Sequence, residues 1–299
     1  MPWNGPAFLG GLRVIHLLQS FHRPWLDGVF LALTLLGSEE FTLLIVPLIY
    51  WCFDRRTGRR MGHLFFFSAF LNVWLKAAFH TARPPKSLWR GGGWASASGS
   101  AFPSGHTQNA ATFWGYLSAT AERPWVTAAG LVVVCLVGLS RLYLGVHWPS
   151  DVLVGLALGY LVAWAWVRLG TRLREGTESL APAVRAAAGF LLPLALLAVH
   201  RGGDAVKLVA AFSAFAGGSV LAGDRPGPAS GTARLLPNVA CFLLGVAGTL
   251  VVRSGLKPLL PAGALADFLR YWLVGLWVSL IAPWFFGWLW PAANLRNRW

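Results

Sequence analysis

Three short stretches of this 299-residue sequence hold charged and titratable side chains at spacings that could do chemistry together. The first runs from Lys76 to Arg83-Pro84. On a helix, seven residues turn the chain by about 700°, so the two cations lie on nearly one face. Lys76 closes an apolar run that begins at Leu64. An ammonium there is costly unless it snorkels to an interface or meets an anion in a watered cavity. Pro84 then ends the helix.

The second stretch, Pro103-Ser104-Gly105-His106, opens another apolar run. Ser is a good N-cap, Gly admits a close ligand, and the N–H groups of a helix start form an anion site. His106 adds a titratable proton at that spot. The third stretch runs from Ser140-Arg141 through His147 to Asp151. Arg141 suits bidentate contact with phosphate oxygens. His147 and Asp151 are four apart at the start of a helix, where a carboxylate on one imidazole nitrogen fixes the tautomer and activates the other.

Each stretch alone has a plain structural reading: a snorkelling lysine, a helix cap, a His–Asp pair at a helix start. Together they place cations, a helix N-terminus and two histidines on one side of a membrane. That combination describes a cavity for a phosphate dianion, with a nucleophile and a separate acid. An anion carrier would need the cations but has no need of an oriented imidazole.

The elements that position these residues are apolar runs. Residues 8–20 read as an interfacial amphipathic helix. Spanning segments follow at 24–36, 38–53, 61–80, 106–121, 125–144 and 148–167, then at about 183–200, 205–222, 235–253 and 267–290. This is an all-α polytopic membrane fold of about ten spans, although 24–36 is short for a bilayer of ~30 Å. The basic stretch from Arg168 to Glu178 separates the groups, giving an interfacial segment (1–23), a six-helix core (24–168) and a C-terminal extension (183–290).

Composition agrees. Only 12% of residues are charged, 56% are hydrophobic, and the mean hydropathy is +0.57; a soluble domain carries about a quarter charged residues. Many of the 17 Trp sit at the ends of apolar runs, where indoles settle at a membrane boundary. The net charge of +14 comes from residues that punctuate hydrophobic segments, so it points to anionic lipid headgroups and topology and gives nucleic-acid binding no support. The three cysteines, Cys52, Cys135 and Cys241, show neither metal-ligand spacing nor a disulfide framework. No signal-peptide layout opens the chain, so insertion is expected to rely on the spans.

Alternation puts Arg55, Arg56, Arg59, Arg60, Arg123, Arg168, Arg172, Arg174, Arg185, Arg225, Arg234, Arg296 and Arg298 on one side. The positive-inside rule makes that side cytoplasmic and the side bearing the chemistry extracytoplasmic. The Ala-, Gly-, Arg- and Trp-rich composition fits a GC-rich bacterium, hence a bacterial cell membrane. Glu39 and Glu40 are expected near the outer surface at a helix break, as interfacial residues or as groups that orient Lys76 or contact a polar headgroup.

Lys76-x6-Arg83-Pro84, Pro103-Ser104-Gly105-His106 and Ser140-Arg141-x5-His147-x3-Asp151 resemble the three-part signature of the type 2 phosphatidic acid phosphatase superfamily, without a departure. The resemblance implies that His147 attacks phosphorus and forms a phosphohistidine, that Asp151 orients it, and that His106 protonates the leaving lipid oxygen. Lys76, Arg83, Ser104, Gly105 and Arg141 would hold the phosphoryl oxygens. It implies no metal and no other cofactor. The Gly37-Ser38-Glu39-Glu40-Phe41 segment, the Pro47–Asp54 stretch, the Tyr143–His147 run and the four-span extension resemble the sphingosine-1-phosphate phosphatase branch, which implies a single-chain lipid monophosphate.

The expected activity is therefore hydrolysis of a lipid phosphate monoester or diphosphate, among membrane lipids. An undecaprenyl diphosphate phosphatase or a lipid phosphotransferase would use the same residues. A phosphorylated-lipid transporter or a structural scaffold is the alternative of a different class; transport should survive loss of the His147–Asp151 pair. The C-terminal helices carry no assignable motif and leave room for a lipid entrance or a homodimer contact. His80 reads as a bystander, His16, His22, His63 and His200 as interfacial residues, and Arg253, Lys257, Asp267 and Arg270 as a cluster on the outer side.

Overall fold

A computed structural model describes residues 10–91, 99–223 and 235–289, without the side chains of 171–175 and 178. Arg225, Arg234, Arg296 and Arg298, and the side chains of Arg172 and Arg174, lie outside the described residues. Every regular element among the described residues is helical, so the chain is all-α.

The helices in order are α1 (Gly11–Ser20), α2 (Pro24–Leu35), α3 (Glu39–Leu48, running on through a π turn at Ile49–Phe53) and α4 (Arg55–Phe79). Then come α5 (Gly105–Ala121), α6 (Pro124–Tyr143), α7 (Pro149–Glu178), α8 (Pro182–Leu191) and the short α9 (Leu196–Val199). The last are α10 (Gly203–Leu221), α11 (Leu235–Gly255), α12 (Ala264–Leu276) and α13 (Ala282–Leu289). Pro24, Pro124, Pro149 and Pro182 each open a helix, where a fixed φ helps and a missing N–H costs nothing. Asp54 starts α4 by accepting from the Arg56 and Thr57 amides at 3.1 and 3.0 Å.

Among the described residues, seven helical segments are long and apolar enough to span, and α2 with α3 forms one further candidate bent by 48°. Three of the ten expected runs take a particular form in the structure. The runs 24–36 and 38–53 are two arms of one bent element, which removes the difficulty that the first is too short. The run 106–121 becomes α5, whose buried face carries Thr107, Gln108, Asn109 and Thr112 and therefore lowers its apolarity.

Packing divides the chain into two units, one of residues up to Thr42 with Phe67–Arg172, the other of Leu43–Phe66 with residues from Leu173 on. In the first unit, Ala110, Ala111, Val134 and Val137 form a small buried core with Leu36, Trp114, Leu156 and Tyr160. Helix α7 approaches α5 through Gly155, where a Cβ would stand 2.6 Å from the Ser104 carbonyl oxygen, and Gly159, where it would stand 2.5 Å from that of Gln108. Small residues four apart let two membrane helices touch backbones, and here they press α7 onto the first turns of α5. A buried polar chain ties α4 to α5: Asn72 Nδ2 donates to Gln108 Oε1 at 2.9 Å, Gln108 Nε2 to the Ser68 carbonyl at 2.9 Å, and Ser68 meets Thr112 at 3.0 Å. Inside an apolar span such groups must satisfy one another, and that fixes register.

Helix α1 lies across the end of the unit where α6 finishes. Gln19 Nε2 donates to the carbonyls of Leu88 and Tyr143 at 2.7 and 2.8 Å, and Ile15 packs with Ala101 and Trp148. In the second unit, Tyr50, Trp51, Cys52, Cys241, Ala282 and Phe286 form the core. The Tyr50 hydroxyl and the Trp51 indole donate to the Ser279 and Val278 carbonyls, both at 2.8 Å.

Candidate active site

The site is assembled within the first unit from the end of α4, the start of α5, the end of α6 and the start of α7. His147 lies in the connection between α6 and α7 and is 1% exposed. Gly145 delivers it: at φ 71° this residue makes the turn, and a side chain there would run into the Leu88 carbonyl oxygen. His147 Nδ1 stands 3.3 Å from Asp151 Oδ2, which also accepts the Trp148 amide at 2.8 Å. The spacing of four therefore does what the sequence suggests, because both side chains lie over one turn at the start of α7.

On the other side of the ring, Nε2 lies 3.2 Å from Arg83 NH1. A guanidinium has only protons to offer, so Nε2 is the accepting nitrogen and the proton sits on Nδ1, facing Asp151. Arg83 is itself held by the carbonyls of Gly99 (3.1 Å) and Val146 (2.9 Å). Burial first, then the charges of Arg83, Arg141 and Lys76, push the His147 pKa well below its ordinary 6.5. The resting imidazole is neutral, with its lone pair aimed into a cluster of cations.

The remaining expected residues arrive at the same place. Lys76 lies in the last turn of α4 and interacts electrostatically with Arg83, Arg141, Asp151 and Glu39. His106 is the second residue of α5 and feels the charges of Arg141, Lys76 and Arg83. Arg141 is fully buried. Ser104 occupies the N-cap position with extended dihedrals, yet its hydroxyl meets Thr107 Oγ1 at 3.0 Å rather than a helix amide. Its backbone N–H donates to the Asp151 carbonyl at 3.0 Å and so joins the second stretch to the third. Gly105 faces Asn72, whose Oδ1 would stand 3.1 Å from a Cβ there. Among the described residues, no three His, Cys, Asp or Glu side chains gather as a metal site.

His80 remains outside this cluster; it is exposed at the end of α4 with φ 45°. With Thr81, Arg83, Lys86, Trp89 and Ser100 it lines an open groove of about 490 Å³ that shares Arg83 with the site.

Two features of the site were not expected from the sequence. The Thr34 hydroxyl, near the end of α2, accepts from Arg141 NH1 at 2.7 Å. At the break after α2, a Cβ on Gly37 would collide with the His106 carbonyl oxygen and stand 2.7 Å from Val137 Cγ1. The break therefore lies level with Val137, six residues or ~9 Å inward from Tyr143 at the end of α6. Glu39 and Glu40, both exposed, start α3 just past this break. The clue in the sequence was the polar interruption itself, Thr34 to Glu40, inside an otherwise apolar run.

The family profile described as PAP2 superfamily matches residues 59–175, and that described as PAP2 superfamily phosphatase, transmembrane extension, matches residues 206–294. Phosphatidylglycerophosphatase B of Bacillus subtilis is 34% identical over 155 residues, 47% of this chain and 73% of that protein. Lipid phosphate phosphatase delta of Arabidopsis thaliana is 28% identical over 189 residues; the match covers 58% of this chain but 45% of the relative's length. The crystal structure of a transmembrane PAP2-type phosphatidylglycerolphosphate phosphatase from Bacillus subtilis shares 28% identity over 54% of this chain and 84% of that chain, with a TM-score of 0.46. The first profile covers every residue of the cluster from Lys76 to Asp151 and the second covers most of the C-terminal helices, so this chain belongs to the PAP2 superfamily of integral membrane phosphatases.

Proposed function

We propose that this protein hydrolyses a lipid phosphate monoester at the extracytoplasmic face of a bacterial membrane, through a phosphohistidine on His147 and without a metal ion. The observation that carries the reading is the imidazole of His147, with Nδ1 on Asp151 and Nε2 turned into the cations. Lys76, Arg83 and Arg141, with the first amides of α5 and the Ser104 hydroxyl, hold the phosphoryl oxygens and stabilise their charge as the transition state forms. Nε2 attacks phosphorus and the P–O bond to the lipid breaks; His106, which takes up a proton once the bound phosphate dianion offsets the cations around it, gives that proton to the leaving oxygen. Water then attacks the phosphohistidine, passes its proton to neutral His106 and releases phosphate, which restores both histidines. Asp151 keeps the proton of His147 on Nδ1 and balances the charge the ring acquires.

The outward orientation rests on charge. Arg55, Arg56, Arg59 and Arg60 crowd the end of α4 remote from Lys76, Arg123 caps the end of α6 remote from Arg141, and Arg168 lies nineteen residues along α7 from Pro149. The resemblance of segments 37–41, 47–54 and 143–147 to the sphingosine-1-phosphate phosphatase branch supports a single-chain lipid monophosphate as substrate, and a homodimer would form through the C-terminal helices. The test is phosphate release by purified protein and by His147→Ala, in detergent with EDTA, across single-chain and two-chain lipid monophosphates and an isoprenyl diphosphate. Turnover that survives EDTA and falls by several orders of magnitude in the variant supports the mechanism, and the preferred lipid identifies the substrate. Release from nothing in the panel, with lipid phosphate still bound, moves the protein to the transporter class.

A further inference from the structure

The three stretches legible in the sequence leave one side of the site unaccounted for. The structure fills it with the bent element formed by α2 and α3. Three contacts fix its register against α6: Asp27 accepts from the Tyr143 hydroxyl at 2.8 Å, Thr34 accepts from Arg141 at 2.7 Å, and Gly37 lies beside Val137. Helix α2 therefore descends antiparallel to α6 from the site end. Phe30 stacks on Tyr143 with ring centroids 4.2 Å apart and keeps the upper part of this pairing in place.

We propose that Thr34 is a positioning residue for Arg141, held at the required height by the helix break at Gly37. Side chains on a helix lean toward its N-terminus, so Arg141 on α6 reaches inward, past its own backbone, toward Thr34. A guanidinium has five N–H groups in a fixed fork. Spending one on a buried hydroxyl fixes the plane of the fork and aims the remaining edge. Thr34 is 4% exposed and Arg141 is fully buried, so water does not compete for this bond. A β-branched residue is stiff at χ1, which makes its hydroxyl a firm anchor. Gly37 connects this anchor to the acid side of the site, because only a residue without a side chain lets the break rest on the His106 carbonyl. Thr34 thus sets Arg141 on one side of the break, and beyond it Glu39 brings a carboxylate within electrostatic range of Lys76.

The role of Thr34 in turnover rests on the phosphatase reading above, so the test has a binding arm independent of catalysis. Inorganic phosphate binding is measured by calorimetry in a His147→Ala background, with Thr34→Val, Thr34→Ser and Arg141→Gln added singly and Thr34→Val with Arg141→Gln together. Thr34→Val keeps the shape and removes the hydroxyl; the expected loss is roughly tenfold in affinity, the scale of one hydrogen bond to a charged group. Thr34→Ser should bind as the parent does, and Thr34→Val should add less than about twofold once Arg141 is gone. In the enzyme with His147 intact, Thr34→Val should lower kcat more than it raises KM, since the clamp acts chiefly on the transition state. Unchanged phosphate affinity in Thr34→Val, an equal loss in Thr34→Ser, or additive losses with Arg141→Gln would overturn the assignment. A thermal unfolding midpoint for each variant separates these results from loss of fold. Absence of turnover in the parent, with the binding pattern intact, would sink the phosphatase reading and leave the positioning role standing.

Discussion

Arg83 NH1 lies 3.2 Å from His147 Nε2, on the one nitrogen of that ring whose lone pair is available. The same NH1 also donates to the Val146 carbonyl at 2.9 Å, one residue before the histidine. Arg83 thus covers the nucleophilic atom in the resting site. For phosphorus to reach Nε2, the guanidinium must exchange this contact for a phosphoryl oxygen, which is the stronger, charge-assisted partner. One residue then serves as a cap on the nucleophile and as a clamp on the substrate.

The two roles separate in Arg83→Gln. Losing a cation at the phosphoryl group is expected to lower kcat/KM by roughly 10²–10³-fold, as for one transition-state donor. Covalent modification of resting His147 by an imidazole-directed reagent should become faster, since the cap is gone. A variant with slower turnover and unchanged His147 reactivity would contradict the capping role.

The pH dependence follows from the same geometry. His147 in the folded site has a pKa well below 6.5, through burial and then the neighbouring charges of Arg83, Arg141 and Lys76. The unfolded chain therefore takes up this proton first as pH falls. The contribution of His147 to stability is present in full above about pH 6.5 and shrinks below it, down to the folded pKa. Nitrogen-15 NMR of the labelled ring should show Nε2 unprotonated at pH 6 in the resting protein. In Arg83→Gln one of the charges that depress the pKa is removed, and the titration should move upward. A ring that titrates at its ordinary value in the parent protein would refute the neutral resting state.

Asp151→Asn tests orientation without disturbing the turn. The side-chain carbonyl of Asn can still accept the Trp148 amide, which Asp151 Oδ2 holds at 2.8 Å. It can no longer both accept that amide through one oxygen and neutralise an imidazolium. The expected fall in kcat is roughly 10³–10⁴-fold, as when a triad aspartate becomes asparagine, with the unfolding temperature nearly unchanged. A small fall in activity with a large fall in stability would make Asp151 a structural cap instead.

How much of this was legible in the sequence follows from the kind of information each part carries. Lys76, Arg83, Ser104, Gly105, His106, Arg141, His147 and Asp151 could be found because their spacing has meaning on a helix or at its start, and the structure brings all of them together. The arrangement of the bent element could not be found in this way. An apolar run says that a helix is wanted, but not whether two adjacent short runs are two spans or two arms of one. Gly37 looks like any turn glycine until the His106 carbonyl is seen against it. On α5, Gln108 and Thr112 reveal their inward partners only when α4 and α7 are in place. The grouping of Leu43–Phe66 with the C-terminal helices was equally hidden, because periodicity names a face and not the neighbour that covers it.

Gly37→Ala tests the tightest of these unforeseen contacts. An added Cβ would meet the His106 carbonyl oxygen and stand 2.7 Å from Val137 Cγ1. Neither neighbour is the far end of a flexible side chain: one is backbone at the first turn of α5, the other a buried residue of α6. Overpacking of this kind costs about 1–3 kcal/mol. Relief requires α2–α3 to move away from α5, which takes Thr34 from Arg141 and shifts His106 against its proton acceptor. A displacement of ~1 Å at a catalytic group costs on the order of 10²-fold in rate. The variant should therefore lose about two orders of magnitude in kcat with a moderate drop in unfolding midpoint, and Thr34→Val should cost it little more. Full activity in Gly37→Ala would show that the break yields without disturbing the site.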